Sequence, residues 1–177
     1  LASGYTVSDD GKVYTFTLRK NLLFHDGTPV TSEDVAYTVQ KAQDPALKSA
    51  LRANLDGVRV ETPDASTIRF ILRAAYSPFI ENLTLGILPK ARWSSISDEE
   101  FPFSELNAEP IGSGPYAIRS ISRTSSGIPS TYSLESFAGY ALGEPYLSSL
   151  TIHFYQSEGA LVVALGNGDI DSASGLS

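Results

Sequence analysis

Apolar and polar residues alternate with a period of two along the first predicted strand of the chain. In GKVYTFTLRK, Tyr14, Phe16 and Leu18 fall on one face, and polar residues fall on the other. The turn SDDG comes just before this strand, and GYTV comes just before the turn. The pattern therefore predicts an antiparallel hairpin with an apolar face that can join a core.

The pattern changes to a helical period after Thr31. Val35, Val39 and Ala42 form an apolar stripe, and Thr31 stands where an N-cap residue would start the helix. The acidic residues that follow Thr31 suit the positive end of a helix dipole. Asp44 precedes a proline and is the predicted end of the helix, because a residue before proline avoids helical angles.

The rest of the chain predicts further short strands and helices. GVRVE and TIRFIL predict a second hairpin, with Pro63 and Asp64 in its turn. Three more strands, YAIRSI, TYSLESF and LTIHFY, follow a stretch rich in Gly and Pro. EGALVVALGNG predicts a helix that closes at Gly166. This mixture of elements predicts an α/β fold class, of the mixed α+β kind.

Composition restricts the class of protein. The 177 residues are 42% hydrophobic and 19% charged, as in globular domains. The net charge is −7 and the lysines and arginines form no cluster, so the chain is not predicted to bind nucleic acid. No apolar run is long enough to cross a membrane. The absence of cysteine excludes disulfides, thiol nucleophiles and zinc–thiolate sites.

One of the two histidines, His25, lies beside Asp26 in the stretch FHDGTPVTSEDV. A catalytic pair would need a nucleophile and a third group, and the local sequence supplies neither. Asp26 and Gly27 are typical turn residues, and Thr28 and Pro29 favour an extended approach to the helix cap. We therefore interpret the stretch as a structural turn, and we predict no catalytic residue.

Other motifs resemble ligand sites but lack essential residues. NGDIDS would need glycine at Ser172 to form a calcium loop, and IGSGPY lacks the lysine of a phosphate-binding loop. The second histidine, His153, is distant in sequence from His25, and zinc sites gather three or four ligands. The sequence predicts neither a metal site nor a cofactor. A pair of carboxylates that acts in hydrolysis is an alternative that the sequence leaves open, although no motif points to one.

Several stretches, in order along the chain, resemble the bacterial extracellular solute-binding proteins of family 5, the peptide- and nickel-binding components of ABC importers. The resemblance begins in VSDDGKVYTFTLRKNLLFHDGTPVTSEDVAYTV and continues through TIRFIL, ILPK, EPIGSGPYAI, FAGYALGEPYLSSLTIHF and ALGNGDID. Ser113 departs from the family, whose members usually carry threonine there. In the family, the His-Asp-Gly-Thr-Pro stretch is part of the scaffold, which agrees with the interpretation of His25 as a turn residue.

The resemblance implies a periplasmic-binding-protein-like class II fold, in which two lobes close over a ligand and a small subdomain is inserted in the first lobe. It assigns residues 1–108 to the inserted subdomain and residues 109–177 to part of the first lobe. The fold is expected to be partial, with the second lobe absent. The resemblance also implies a periplasmic or extracellular location, with lipid anchoring as an option through a missing N-terminus.

By the same resemblance, these residues would form one wall of the ligand cavity. The candidate wall residues are Tyr76, Phe79, Leu85, Gly86, Ile87, Leu88, Tyr116 and Tyr140. Each aromatic residue could instead pack in the core, and that alternative stays open.

The expected function is to bind peptides and to deliver them to a membrane permease, without covalent chemistry. The alternatives are a binder of another solute, such as a nickel chelate or an oligosaccharide, a sensory module on the same scaffold, or a hydrolase. The expected partners are a small solute and the ABC permease, with no nucleic acid and no membrane span in these residues.

Overall fold

The computed structural model describes residues 1–175, which divide into two compact units. The first unit comprises Leu1–Ala117 and Ser136–Tyr146. The second unit comprises Ile118–Glu135 and the described residues from Leu147 onward. The predicted boundary after Ala108 concerns the subdomains of the family and stays a prediction. The last two residues of the predicted second segment, 176 and 177, lie outside the described residues.

A four-stranded antiparallel sheet forms the centre of the first unit. Its strands, in the spatial order β1-β2-β4-β3, are β1 (Ala2–Val7), β2 (Val13–Leu18), β3 (Arg59–Asp64) and β4 (Thr67–Ile71). The first predicted hairpin is confirmed, because β1 and β2 pair with Val7 opposite Tyr14. Its apolar face is confirmed too, since Tyr14 and Leu18 are buried.

The second hairpin is confirmed, but its turn is shorter than predicted. β3 continues through Pro63 to Asp64, and the turn consists of Ala65 and Ser66. Pro63 is tolerated in β3 because β3 is an edge strand whose pairing with β4 is irregular between Glu61 and Asp64. Asp64 still shapes the turn, since its carboxylate accepts hydrogen bonds from the N–H and the hydroxyl of Ser66.

Helix α1 (Ser32–Gln43) begins after Thr31 and ends at Asp44, as predicted. The N–H and the hydroxyl of Thr31 both donate to the Asp34 carboxylate, which stabilises the start of the helix. Val35 and Val39 are buried in the core of this unit. The other core residues are Tyr14, Leu18, Leu22, Phe24, Val30, Leu55, Val58, Ile68, Phe70, Leu72 and Phe79.

Short helical segments complete the first unit. They are α2 (Arg52–Leu55), α3 (Lys90–Trp93) and 3₁₀ turns at Ser77–Leu83, Phe101–Phe103 and Glu105–Asn107.

The second unit contains most of a three-stranded sheet and one helix. The strands β5 (Tyr116–Arg123), β6 (Pro129–Ser136) and β7 (Ser149–His153) lie side by side in that order. Helix α4 (Glu158–Asn167) follows β7. The predicted closure of this helix at Gly166 is wrong. The helix continues through Gly166 and ends at Gly168, whose φ of 77° is a left-handed conformation that glycine adopts without strain.

Candidate functional site

The segment of residues 85–90 is attached to helix α1 by two polar side chains. The Thr38 hydroxyl donates to the Asp34 carbonyl at 2.7 Å and accepts the Leu88 N–H at 2.9 Å. The Asp34 carboxylate accepts the Lys90 N–H at 2.8 Å. Thr38 and Asp34 are both buried, so these bonds are shielded from water and define the path of the chain between residues 85 and 90.

A cavity of about 500 Å³ lies beside this segment, and Leu85, Gly86 and Leu88 are among its lining residues. Small-molecule pockets typically measure about 300–1,000 Å³ and combine apolar surface with a few polar groups. The cavity has both properties. Its other lining residues are Thr38, Lys41, Ala42, Leu47, Ser49, Leu51, Thr84, Phe101, Pro102 and Asn107.

Lys41 is the charged residue in this lining, and its ammonium group already has a partner. It donates a hydrogen bond to the Asp98 carboxylate and lies 5.6 Å from the centre of the Phe101 ring. The hydrogen bond to Asp98 raises the pKa of Lys41, although burial opposes the shift. Lys41 is therefore protonated at neutral pH and places a paired positive charge at the cavity.

A second cavity, of about 330 Å³, lies in the first unit and is lined by residues with apolar side chains. Leu85 and Ile87 contribute to it, so Leu85 lines both cavities. The other lining residues are Leu1, Ala2, Phe16, Leu18, Val35, Val39, Ile68, Phe70, Ile80 and Leu83.

Two aromatic candidates, Tyr76 and Phe79, differ in exposure. Tyr76 is 50% exposed, and its backbone carbonyl accepts the hydroxyl of Tyr14 at 3.0 Å. Phe79 is 1% exposed, and its ring packs against Tyr14 and Phe70. For Phe79 the structure therefore supports the alternative of core packing, because the buried ring has no surface left for a ligand.

The other two aromatic candidates, Tyr116 and Tyr140, are partly buried in the first unit. Tyr116 is the first residue of β5, and the Tyr140 N–H donates to the Phe137 carbonyl at 3.0 Å. Neither side chain is among those that line the two cavities. Their role in a ligand site stays a prediction, as does that of Tyr76.

His25 connects its turn to the IGSGPY loop through both ring nitrogens. Nδ1 accepts the Gly112 N–H at 3.2 Å, so we assign the proton to Nε2, which donates to the Gly114 carbonyl at 3.1 Å. The ring also packs edge-on against Phe137. With both nitrogens bonded to backbone groups, the geometry fits a structural role for His25.

Asp26 stabilises the same turn. Its carboxylate accepts the Thr28 hydroxyl at 2.6 Å, the Thr28 N–H at 3.1 Å and the Arg92 guanidinium at 2.9 Å. These donors, with the Thr28 hydroxyl first, lower the pKa of Asp26. A general acid near neutral pH would need a raised pKa, so the environment of Asp26 suits a turn residue that is ionised at neutral pH.

Among residues 1–175, no cluster of three or more His, Asp or Glu side chains is placed to hold a metal ion. Over the same range, no helix has both the length and the apolar character that a membrane span requires.

The comparison with known proteins decides the family. The sequence profile described as "Bacterial extracellular solute-binding proteins, family 5 Middle" matches residues 1–177. The chain belongs to this family. Solute-binding proteins of family 5 are extracytoplasmic components of ABC transporters.

The relatives of this family 5 chain bind several kinds of solute. The glutathione-binding protein GsiB of Shigella boydii is 34% identical over 85% of this chain and 28% of its own length. NikZ of Campylobacter jejuni, solved in complex with Ni(L-His), has a TM-score of 0.84 at 27% identity, over 97% of this chain and 33% of NikZ. The oligopeptide-binding protein AppA of Bacillus subtilis, solved with a nonapeptide, has a TM-score of 0.83 at 25% identity, over 96% of this chain and 34% of AppA.

These comparisons confirm the predicted fold for the family 5 chain. They also show that the chain spans about a third of the similar solved structures and less than a third of the curated relative.

Sequence reasoning did not identify Asp34, Thr38 and Lys41 as residues that contact or line the candidate site in this family 5 chain. They are spaced four and three residues apart, so they share one face of α1. A polar residue at a buried helical position indicates a hydrogen-bond partner elsewhere. That signal marks Asp34 and Thr38, but their partners lie about fifty residues away, and the sequence pattern does not reveal them.

Proposed function

We propose that this family 5 chain is part of a receptor that binds short peptides outside the cytoplasm and delivers them to the membrane permease of an ABC importer. The observation that carries the proposal is the match of the family 5 profile to residues 1–177. Two similar proteins support the choice of ligand. Glutathione, named for GsiB, is a tripeptide, and AppA was solved with a nonapeptide.

The proposed wall of the ligand site consists of residues 85–88 and Tyr76, with Tyr116 and Tyr140 as further candidates. Residues 85–88 combine apolar side chains with a backbone attached to α1 through Thr38. Backbone groups can bind the main chain of a peptide while tolerating different side chains. A wall that is already ordered loses little conformational entropy on binding, which favours affinity.

We also propose that the complete protein resides in the periplasm or at the cell surface, held by a lipid anchor if its N-terminus carries one. This follows from the extracytoplasmic character of the family.

Isothermal titration calorimetry of the complete protein with a library of short peptides tests the proposal. We expect heat of binding and a ligand-dependent rise in melting temperature. No response to peptides, together with a clear response to nickel–histidine chelates or to oligosaccharides, would identify that solute as the ligand in place of a peptide. The nickel chelate is the second candidate because NikZ is among the structures that resemble this chain.

A substitution in the proposed wall tests the site itself. Tyr76→Ala should weaken peptide binding by about tenfold, which corresponds to about 1.4 kcal/mol, because an exposed aromatic contact is lost. The melting temperature should hardly change, since the backbone carbonyl that bonds to Tyr14 remains. The matched control is Tyr146→Ala, at another exposed tyrosine. Equal peptide affinities of the two variants would show that Tyr76 is not part of the ligand site.

A further inference from the structure

The cavity of about 500 Å³ beside residues 85–88 lies within the first unit, and apolar side chains make up most of its lining. Leu47, Leu51 and Phe101 line it, together with three of the four residues 85–88 of the proposed wall. Because the wall and the lining share residues, a peptide bound to the wall has the cavity next to it. The lining favours an apolar group there, since apolar surface gains free energy when it leaves water.

One charged residue, Lys41, belongs to this lining, and three side chains interact with its ammonium group. The Asp98 carboxylate accepts its hydrogen bond. The ring centres of Tyr37 and Phe101 lie 5.7 Å and 5.6 Å from Nζ, within the range of a cation–π interaction. The Phe101 ring in turn packs on the buried Trp93, with 4.3 Å between the ring centres. These contacts hold the ammonium group in one place beside the cavity.

Asp98 cancels the positive charge that Lys41 would otherwise present to the cavity. Within the described part of the chain, the lining contains no Asp, Glu or Arg and no second Lys, so this pair sets the charge at the cavity. The two side chains are only 21% and 41% exposed, and charges in such partly buried places are screened incompletely by solvent. An acidic group entering the cavity would lose hydration and would meet an ammonium group that already has a carboxylate partner.

We propose that Asp98 determines the specificity of this cavity: by neutralising Lys41, it makes the cavity accept an uncharged apolar side chain of the ligand and reject an acidic one. The inference rests on the proposed function, because it takes the ligand to be a peptide bound along residues 85–88. A leucine side chain of that peptide would contact Leu47 and Leu51. A glutamate side chain would instead place its carboxylate near that of Asp98, which acts through Lys41 and is itself outside the lining.

Calorimetry of the complete protein tests this specificity with alanine tripeptides in which one leucine or one glutamate is moved through each position. At one position, the leucine peptide should bind at least about tenfold more tightly than the glutamate peptide. Asp98→Asn should reduce this preference at least about tenfold, because the Lys41 ammonium becomes free to pair with glutamate. Asp98→Glu keeps the carboxylate and should retain the preference. Glu99→Gln removes one negative charge at the exposed neighbouring residue and is the matched control.

The ratio of the two affinities separates a role in specificity from a role in folding. If Asp98→Asn weakens the binding of both peptides by the same factor, Asp98 only supports the fold and the proposal is overturned. A preference that Asp98→Asn leaves unchanged, or that Glu99→Gln reduces equally, overturns it as well.

Methyl NMR of the complete protein distinguishes a failure of this inference from a failure of the proposed function. N-acetylleucine amide and N-acetylglutamate amide present the two side chains without a peptide. The leucine probe should shift the methyl signals of Leu47 and Leu51, and the glutamate probe should shift them only in the Asp98→Asn variant.

If these shifts occur while no peptide binds, the proposed function is wrong and the specificity of the cavity stands. If peptides bind but neither probe shifts the two methyl signals, the specificity inference is wrong and the proposed function stands. The absence of both peptide binding and methyl shifts would overturn both.

Discussion

Thr38 lies on the buried face of α1, and its hydroxyl joins parts of the first unit that are 50 residues apart. Without this hydroxyl, the Leu88 N–H would lose its partner, and a buried donor without a partner costs about 1–3 kcal/mol. At the residue scale, the candidate wall thus depends on a side chain outside it. His25 acts similarly, since it satisfies backbone groups of Gly112 and Gly114.

Thr38→Val tests this dependence. Valine keeps the shape of threonine but cannot accept the Leu88 N–H, so the free energy of unfolding should fall by about 1–3 kcal/mol. Peptide affinity should fall as well, because residues 85–88 lose an attachment to α1. Urea denaturation and calorimetry measure the two effects. Thr38→Ser keeps the hydroxyl and is the control, which should retain affinity. If the valine variant binds as tightly as the serine variant, Thr38 does not position the wall.

Asp26 leads to a prediction about acid stability. Its pKa is lowered from 3.8, chiefly by the Thr28 hydroxyl, so the folded state favours the carboxylate. The resulting stabilisation is present above pH 3.8 and is lost as the pH falls through the lower pKa of the folded state. Below pH 3.8, the free energy of unfolding should therefore decline less in the Asp26→Asn variant than in the unmodified protein.

Urea midpoints recorded from about pH 2 to about pH 6 measure this difference. The exposed Asp9→Asn is the control and should keep the decline of the unmodified protein. A decline of the same size in the Asp26→Asn variant would show that the turn does not hold the carboxylate as described.

At the scale of secondary structure, the end of α4 depends on bonds beyond the helix. Two glycines, Gly166 and Gly168, could each close it. The Gly168 N–H donates to the Leu165 carbonyl at 3.2 Å, and the Asp169 N–H donates to the Ala164 carbonyl at 2.9 Å. This pair of bonds is the Schellman arrangement, and it requires the positive φ of Gly168. Gly166 is an ordinary helical residue.

The two glycines should therefore respond to alanine in opposite directions. Gly168→Ala places a Cβ in a left-handed conformation and should lower the unfolding free energy by about 1 kcal/mol or more. Gly166→Ala meets no heavy atom within 4 Å and should raise it by up to about 1 kcal/mol, because alanine favours a helix. Thermal denaturation distinguishes them. Destabilisation by Gly166→Ala and none by Gly168→Ala would place the helix end at the earlier glycine.

At the scale of the whole molecule, residues 1–177 cover about a third of the solved structures that they resemble. A pocket that holds a small solute usually buries about 70–90% of the surface of that solute. In a receptor whose lobes close over the ligand, both sides of the cavity share this burial. We therefore expect the described wall to be one part of a larger binding surface.

Residues 1–177 produced alone should bind peptides much more weakly than the complete protein, because part of the proposed cavity is missing. Calorimetry of both proteins with the same peptide measures the difference, and circular dichroism with urea denaturation verifies that the shorter chain is folded. Micromolar or tighter binding by the folded shorter chain would contradict the proposed division of the site.

The family, the first hairpin, and the start and end of α1 could all be predicted from the amino-acid sequence. These features depend on residues that are close together in the chain, such as the alternation around Phe16 and the contact between Thr31 and Asp34. Such local patterns keep their meaning in most surroundings, so they can be recognised without a structure.

The other features depend on tertiary contacts and became known only from the structure. Pro63 is tolerated within β3 because this strand lies at the edge of the sheet. Phe79 belongs to the core because Tyr14 and Phe70 pack against its ring. The position of residues 85–88 depends on Thr38, which is distant in sequence. Each of these outcomes results from contacts between remote parts of the chain, and the local pattern is compatible with more than one such contact.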